Sequence, residues 1–110
     1  MKICQTDTYS KWFARLRDTV AKSRILVRLR RMSLGNFGEH RDLGDGVSEL
    51  KFKFGPGYRI YYTEHDGEIV ILLAGGDKST QSKDIAKAKE LAKNLLGGKD
   101  ENENDRMECD

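Results

Sequence analysis

Residues 49–79 read ELKFKFGPGYRIYYTEHDGEIVILLAGGDKS. In the first part, Leu50, Phe52 and Phe54 alternate with Lys51 and Lys53, the period of a half-buried strand. A Gly-Pro-Gly turn follows, with glycine free to take positive φ and proline fixing the bend. YRIYYTE continues as a second strand, and the Asp-Gly of HDGE marks a tight hairpin. IVILLA shows no alternation, which suits a central strand covered on both faces. The stretch therefore predicts a three-stranded meander.

Upstream, KICQ (2–5) predicts a short strand, with Asp7 or Thr8 capping the helix that follows. Trp12, Phe13, Leu16 and Val20 recur at helical steps, as do Ile25, Leu26, Leu29 and Met32 in a second run. The two runs meet near Asp18–Ser23 and predict a helical hairpin that stops at SLGNFG. EHRDLGDGVS reads as a loop entering the sheet. Downstream, Ile85, Ala88, Leu91, Ala92 and Leu95 mark an amphipathic helix ending at Gly97. Ser79, Thr80 and Ser82 read as its caps, and Gln81 and Asp84 fall in its first turn, where Asp84 gains from the helix dipole. The fold class expected is α+β: an N-terminal strand, a two-helix hairpin, an antiparallel sheet meander and a C-terminal helix, with the helices against one face of the sheet.

A chain of 110 residues supports one domain, here assigned to 1–96. The remainder, 97–110, is acidic and too polar to fold alone, so it is expected to be disordered. That segment carries a net charge of −4 within a total of +2, which leaves +6 on the body. A basic body fits a polyanionic partner, although a highly charged surface is also the ordinary condition of a small solvated domain. Cys4 and Cys109 give neither a disulfide framework nor metal-ligand spacing. With no apolar run at the N-terminus and none of membrane-spanning length, no signal peptide and no membrane association are expected, and a cytoplasmic setting follows.

Strand alternation places Lys51 and Lys53 opposite the phenylalanines. Arg59, Tyr61 and Thr63 share a face on the next strand, and Lys78 approaches from the neighbouring edge. Cations beside a tyrosine on an open sheet face suit RNA, since guanidinium binds phosphate through a planar fork and aromatic rings stack on bases. Lys-x-Lys is equally the common pattern of a solvated strand. Arg28 and Arg31, on an acid-free helix, and His40, in the loop before the sheet, are further RNA-binding candidates. His40 and His65 are too isolated for a metal site, and neither a catalytic triad nor a magnesium-binding carboxylate cluster is present.

GVSEL, GPGYR and GGDKS, in this order, resemble the RelE/ParE toxin superfamily, and within it the HigB-like addiction module killer branch. The resemblance spans roughly residues 1–96 and implies a type II toxin neutralised by a helix-turn-helix antitoxin. RelE-type members cut mRNA in the ribosomal A site without a metal or other cofactor. The 2′-hydroxyl attacks the adjacent phosphate, which calls for a base, a charge clamp and a proton for the leaving oxygen. By position, Lys51 and Lys53 match the strand lysines, one of them a base candidate. Arg59 matches the arginine after the turn tyrosine, and Lys78 the place of a second arginine. The late catalytic tyrosine has no counterpart, with Asp84 near its place. The C-terminal histidine set of HigB enzymes is also missing, and His40 is the candidate to replace an earlier histidine. ParE-type members share the fold but poison gyrase, which leaves a gyrase-directed toxin or a non-catalytic binding module as alternatives.

Overall fold

The structure is a computed structural model and describes residues 1–96 and 106–109. The elements, in chain order, are strand β1 (Lys2–Thr6), helices α1 (Asp7–Arg15) and α2 (Thr19–Ser33), then strands β2 (His40–Gly44), β3 (Val47–Lys51), β4 (Arg59–His65) and β5 (Ile69–Gly76). A short 3-10 turn (Lys78–Thr80), helix α3 (Gln81–Leu96) and strand β6 (Met107–Cys109) follow. The six strands form one mixed sheet in the order β2-β3-β4-β5-β1-β6. The architecture is α+β, and the run from β3 to β5 is the expected antiparallel meander, extended by β2. β1 instead pairs with β5 in parallel, so the sheet as a whole is not antiparallel.

Helices cover both faces rather than one. On one side α1 and α2 bury Tyr9, Ile25 and Met32 against Leu50, Ile60, Tyr62 and Leu72. On the other, Ala88, Leu91 and Ala92 of α3 pack on Val47, Tyr61, Ile71 and Leu73. The physical reason lies in β5: with apolar side chains pointing both ways it needs two covers, and α3 carries the second apolar stripe. Gly75 and Gly76 allow both covers to approach closely. A methyl group at Gly75 would overlap the Trp12 ring on the α1 side, and one at Gly76 would overlap the Asp84 carboxylate on the α3 side.

Local signals fix the element ends. Thr6, not Asp7 or Thr8, caps α1: its hydroxyl accepts from Tyr9 N at 3.1 Å and donates to the Leu73 carbonyl at 2.8 Å. Asp18 caps α2 by accepting from Ala21 N at 3.0 Å. Asp77 caps the 3-10 turn by accepting from Ser79 N at 2.8 Å. HRDLG is a strand rather than a loop, turned into β3 by Gly44-Asp45-Gly46, all three at positive φ. β3 ends at Lys51, so Phe52 and Phe54 lie beyond it, although Phe52 is still buried.

The tail also departs from expectation. Residues 97–105 and 110 lie outside the described residues, but Met107–Cys109 pair antiparallel with β1, Cys4 opposite Cys109. A disulfide joins those two cysteines. Neither was legible, because three residues of a polar tail carry no periodicity, and an edge strand needs only backbone hydrogen bonds. Among the described residues, no helix is long and apolar enough to cross a membrane.

Candidate anion-binding cleft

The register of β3 and β4 sets Lys51 directly opposite Arg59 and Glu49 opposite Tyr61. All four side chains leave the sheet on the side that α3 covers. α3 begins only at Gln81, so it seals the Tyr61 end of that face and leaves the Lys51–Arg59 end open. β2 supplies the outer wall with Arg41, opposite Glu49, and with the backbone of His40. The result is a cleft of about 360 Å³ lined by these residues together with Glu39, Glu49 and Gln81.

Arg59 forms the floor and is only 6 % exposed. Its Nη1 donates to the Gly57 carbonyl at 2.8 Å and to that of Tyr58 at 3.3 Å. This folding-back depends on the Gly-Pro-Gly turn: Gly57 has φ +79°, and a Cβ there would crowd Arg59 Nη1 and Lys78 Cβ, each at 3.3 Å. The Arg59 Nε lies 4.0 Å from Glu49 and is buried without a hydrogen bond. Glu49 is itself buried. Its carboxylate pairs with Arg41 Nη2 at 3.3 Å and accepts from Gln81 Nε2 at 3.2 Å. The cleft thus has two arginines and a lysine around two carboxylates, a net positive basin with one internal counter-ion.

Of the residues singled out by sequence, the cleft unites Lys51, Arg59 and Gln81, whereas His40, opposite Leu50 in the register, turns its ring to Phe37 on the other face of the sheet. His40 Nδ1 sits 2.8 Å from the Gly38 carbonyl. A carbonyl only accepts, so Nδ1 carries the hydrogen in that bond, and in the neutral ring Nε2 holds the lone pair. Lys53 stands outside, 79 % exposed and 3.4 Å from Glu39. Lys78 is exposed beside the Gly-Pro-Gly turn, its backbone N–H donating to the Pro56 carbonyl at 3.4 Å, and it does not line the cleft.

The expected open face carrying Lys51, Lys53, Arg59 and Tyr61 therefore does not exist. Tyr61 is fully buried under α3 and cannot stack on a base. Burial, with Glu49 and Asp84 nearby, pushes its hydroxyl well above the usual tyrosine range. Arg28 is also committed to the fold. Its Nη1 donates to the Lys51 carbonyl at 2.9 Å and its Nη2 to the Glu39 carbonyl at 2.6 Å, with the guanidinium over the Phe52 ring. Arg31 is exposed on α2, away from the cleft. Asp84 accepts a hydrogen bond from Thr80 and packs on Gly76, which makes it a helix-start residue.

Sequence reasoning missed Glu49 and Arg41. Glu49 stands two residues before Lys51 on one strand face, so alternation alone places a carboxylate beside the cations. Arg41 was hidden because its strand read as a loop.

The family model described as phage derived protein Gp49-like (DUF891) matches residues 11–96. A protein of Haemophilus influenzae (strain ATCC 51907 / DSM 11121 / KW20 / Rd), described as an uncharacterized protein, is 45 % identical over 95 residues, covering 86 % of this chain and 96 % of the relative. No solved structure matches the chain.

Proposed function

The chain belongs to the phage-derived Gp49-like family, which is associated with toxin-antitoxin systems, and from that premise we propose that it is a RelE-like toxin, of the HigB-like kind, that cleaves mRNA on the ribosome and is neutralised by a cognate antitoxin. The observation that carries this reading is the cleft that gathers Lys51, Arg59 and Arg41 around one space. A buried guanidinium is a fixed charge clamp, since it stays protonated and its geometry is set before substrate arrives.

In the proposed reaction, the Lys51 amine takes the proton of the 2′-hydroxyl. The 2′-oxygen bonds to the adjacent phosphorus, and Arg59, on the cleft floor, stabilises the charge on the phosphoryl oxygens. The bond from phosphorus to the 5′-oxygen breaks, and the leaving oxygen takes a proton from solvent water. The products are a 2′,3′-cyclic phosphate and a 5′-hydroxyl end. Lys53 and Lys78, outside the cleft, serve the flanking phosphates.

The test is to express the protein, map new 5′ ends on cellular mRNA, and repeat the mapping on purified ribosomes with a defined mRNA. New 5′-hydroxyl ends that appear only with ribosomes are expected. Intact mRNA together with trapped gyrase–DNA cleavage complexes would replace this reading with a gyrase-directed toxin.

A further inference from the structure

α2 and its C-cap residue Leu34 carry large apolar side chains on the solvent side. Val20 is 60 % exposed, Val27 49 % and Leu34 79 %. The three recur every seven residues, so they form a single column along the outward face. The column runs over 14 residues, about 21 Å at ~1.5 Å per residue. Arg24 lies on one flank and Arg30 on the other. Between Thr19 and Gly38 the chain has five cations and no acid, and among the described residues none of Lys22, Arg24, Arg30 or Arg31 has an ion-pair partner. A groove runs beside the column, where Leu26 of α2 and Leu34 at its C-cap face Ile3 and the β6 edge at Glu108 and Cys109.

We propose that this column, flanked by Arg24 and Arg30, docks an acidic amphipathic helix of a partner protein. The column is one residue wide, with Arg30 standing between it and the exposed Leu26, which matches the facing seam of another helix. A helix lying in a membrane surface presents a broad apolar face instead. A second copy of this chain is disfavoured, because an isologous contact would set the same cations against themselves. An acidic helix satisfies both features at once: its apolar seam covers Val20, Val27 and Leu34, and its carboxylates meet Arg24 and Arg30. The proposal rests on the toxin–antitoxin reading in that the partner is sought in the product of the adjacent reading frame.

The experiment titrates the full chain with that product by calorimetry, using wild type, the pair Arg24→Glu and Arg30→Glu, and the pair Val27→Ser and Leu34→Ser. Circular dichroism and melting curves check that each variant is folded. Both pairs are expected to weaken binding at least 30-fold, and binding is expected to weaken as salt rises, because the flanking contacts are ionic. Unchanged affinity in both folded variants would overturn the docking surface while leaving the toxin–antitoxin reading in place. No binding by wild type, with no relief of growth inhibition on co-expression, would overturn both. Binding of wild type to vesicles of anionic lipid, lost in the same variants, would assign the column to a membrane and also overturn the proposal.

Discussion

The Glu49 carboxylate is buried 4.0 Å from Arg59 Nε, and the two groups form the inner end of a cleft otherwise open to solvent. Removing one partner leaves the other charged and buried, which costs far more than the pair contributes. Glu49→Ala is therefore expected to lose about 2–4 kcal/mol and to lower Tm by ten degrees or more. Glu49→Gln retains the shape and a polar contact for Gln81, and its loss should be smaller. Thermal denaturation at low salt checks both.

Lys51 is exposed, so its loss reports on chemistry rather than stability. Lys51→Ala should leave Tm within about a degree of wild type and reduce ribosome-dependent cleavage on the order of 10²–10³-fold. His40→Gln, on the opposite face of the sheet, should leave cleavage close to wild type. Arg59→Lys keeps the charge but not the fork, so partial activity is expected; Arg59→Ala also strips Glu49 of a buried neighbour and should be less stable. Single-turnover cleavage beside melting curves separates the two effects.

The Cys4–Cys109 disulfide spans a sequence separation of 105 residues. Closing so long a loop restricts the unfolded chain by up to about 4.7 kcal/mol in the chain-entropy model. Cys4→Ser, or wild type with reductant, should unfold at clearly lower denaturant. Cys109→Ser should match Cys4→Ser. Equal midpoints with and without reductant would show that the bond contributes nothing to stability.

Gly76→Ala sets a methyl group into the Asp84 carboxylate and the Thr80 hydroxyl, and should cost about 1–3 kcal/mol as α3 is pushed outward. Asp84→Ala in the same chain opens that space, and the double variant should regain part of the loss. A double-mutant cycle on urea midpoints measures it.

Asp77 has its pKa lowered from the ordinary 3.8, chiefly by the hydrogen bond from Ser79, with a backbone share as well. A depressed folded pKa stabilises the protein above the unfolded value, and the gain is lost as pH falls through the folded one. Asp77→Ala should therefore cost about 0.5–1 kcal/mol at neutral pH. The difference in Tm from wild type should shrink as pH is lowered from 6 towards 2.

The meander from Leu50 to Ala74 was readable because alternation and turn residues are local. The same locality misplaced the helices. IVILLA signalled two covered faces, yet nothing nearby in the chain told which helix lay on which side, and Tyr61 read as exposed when α3 lies over it. Lys51 and Arg59 were correctly set on one face, since a hairpin fixes register. Glu49 was overlooked because its value as a counter-ion appears only once burial is known. Arg41 reached the cleft through β2, a strand too polar to announce itself, and the same register turns His40 to the other face.

Arg28 grips the backbone of Lys51 and of Glu39 with two donors of one guanidinium, so the outer helix and the cleft rim share a rigid strut. Occupancy at one end then has a thermodynamic echo at the other. A partner seated on α2 that displaces Arg28 changes how the cleft holds phosphate, and by reciprocity RNA in the cleft changes the grip on that partner by the same factor. Neutralisation on such a molecule does not require the inhibitor to enter the cleft; it can act from behind, as a tax on substrate affinity.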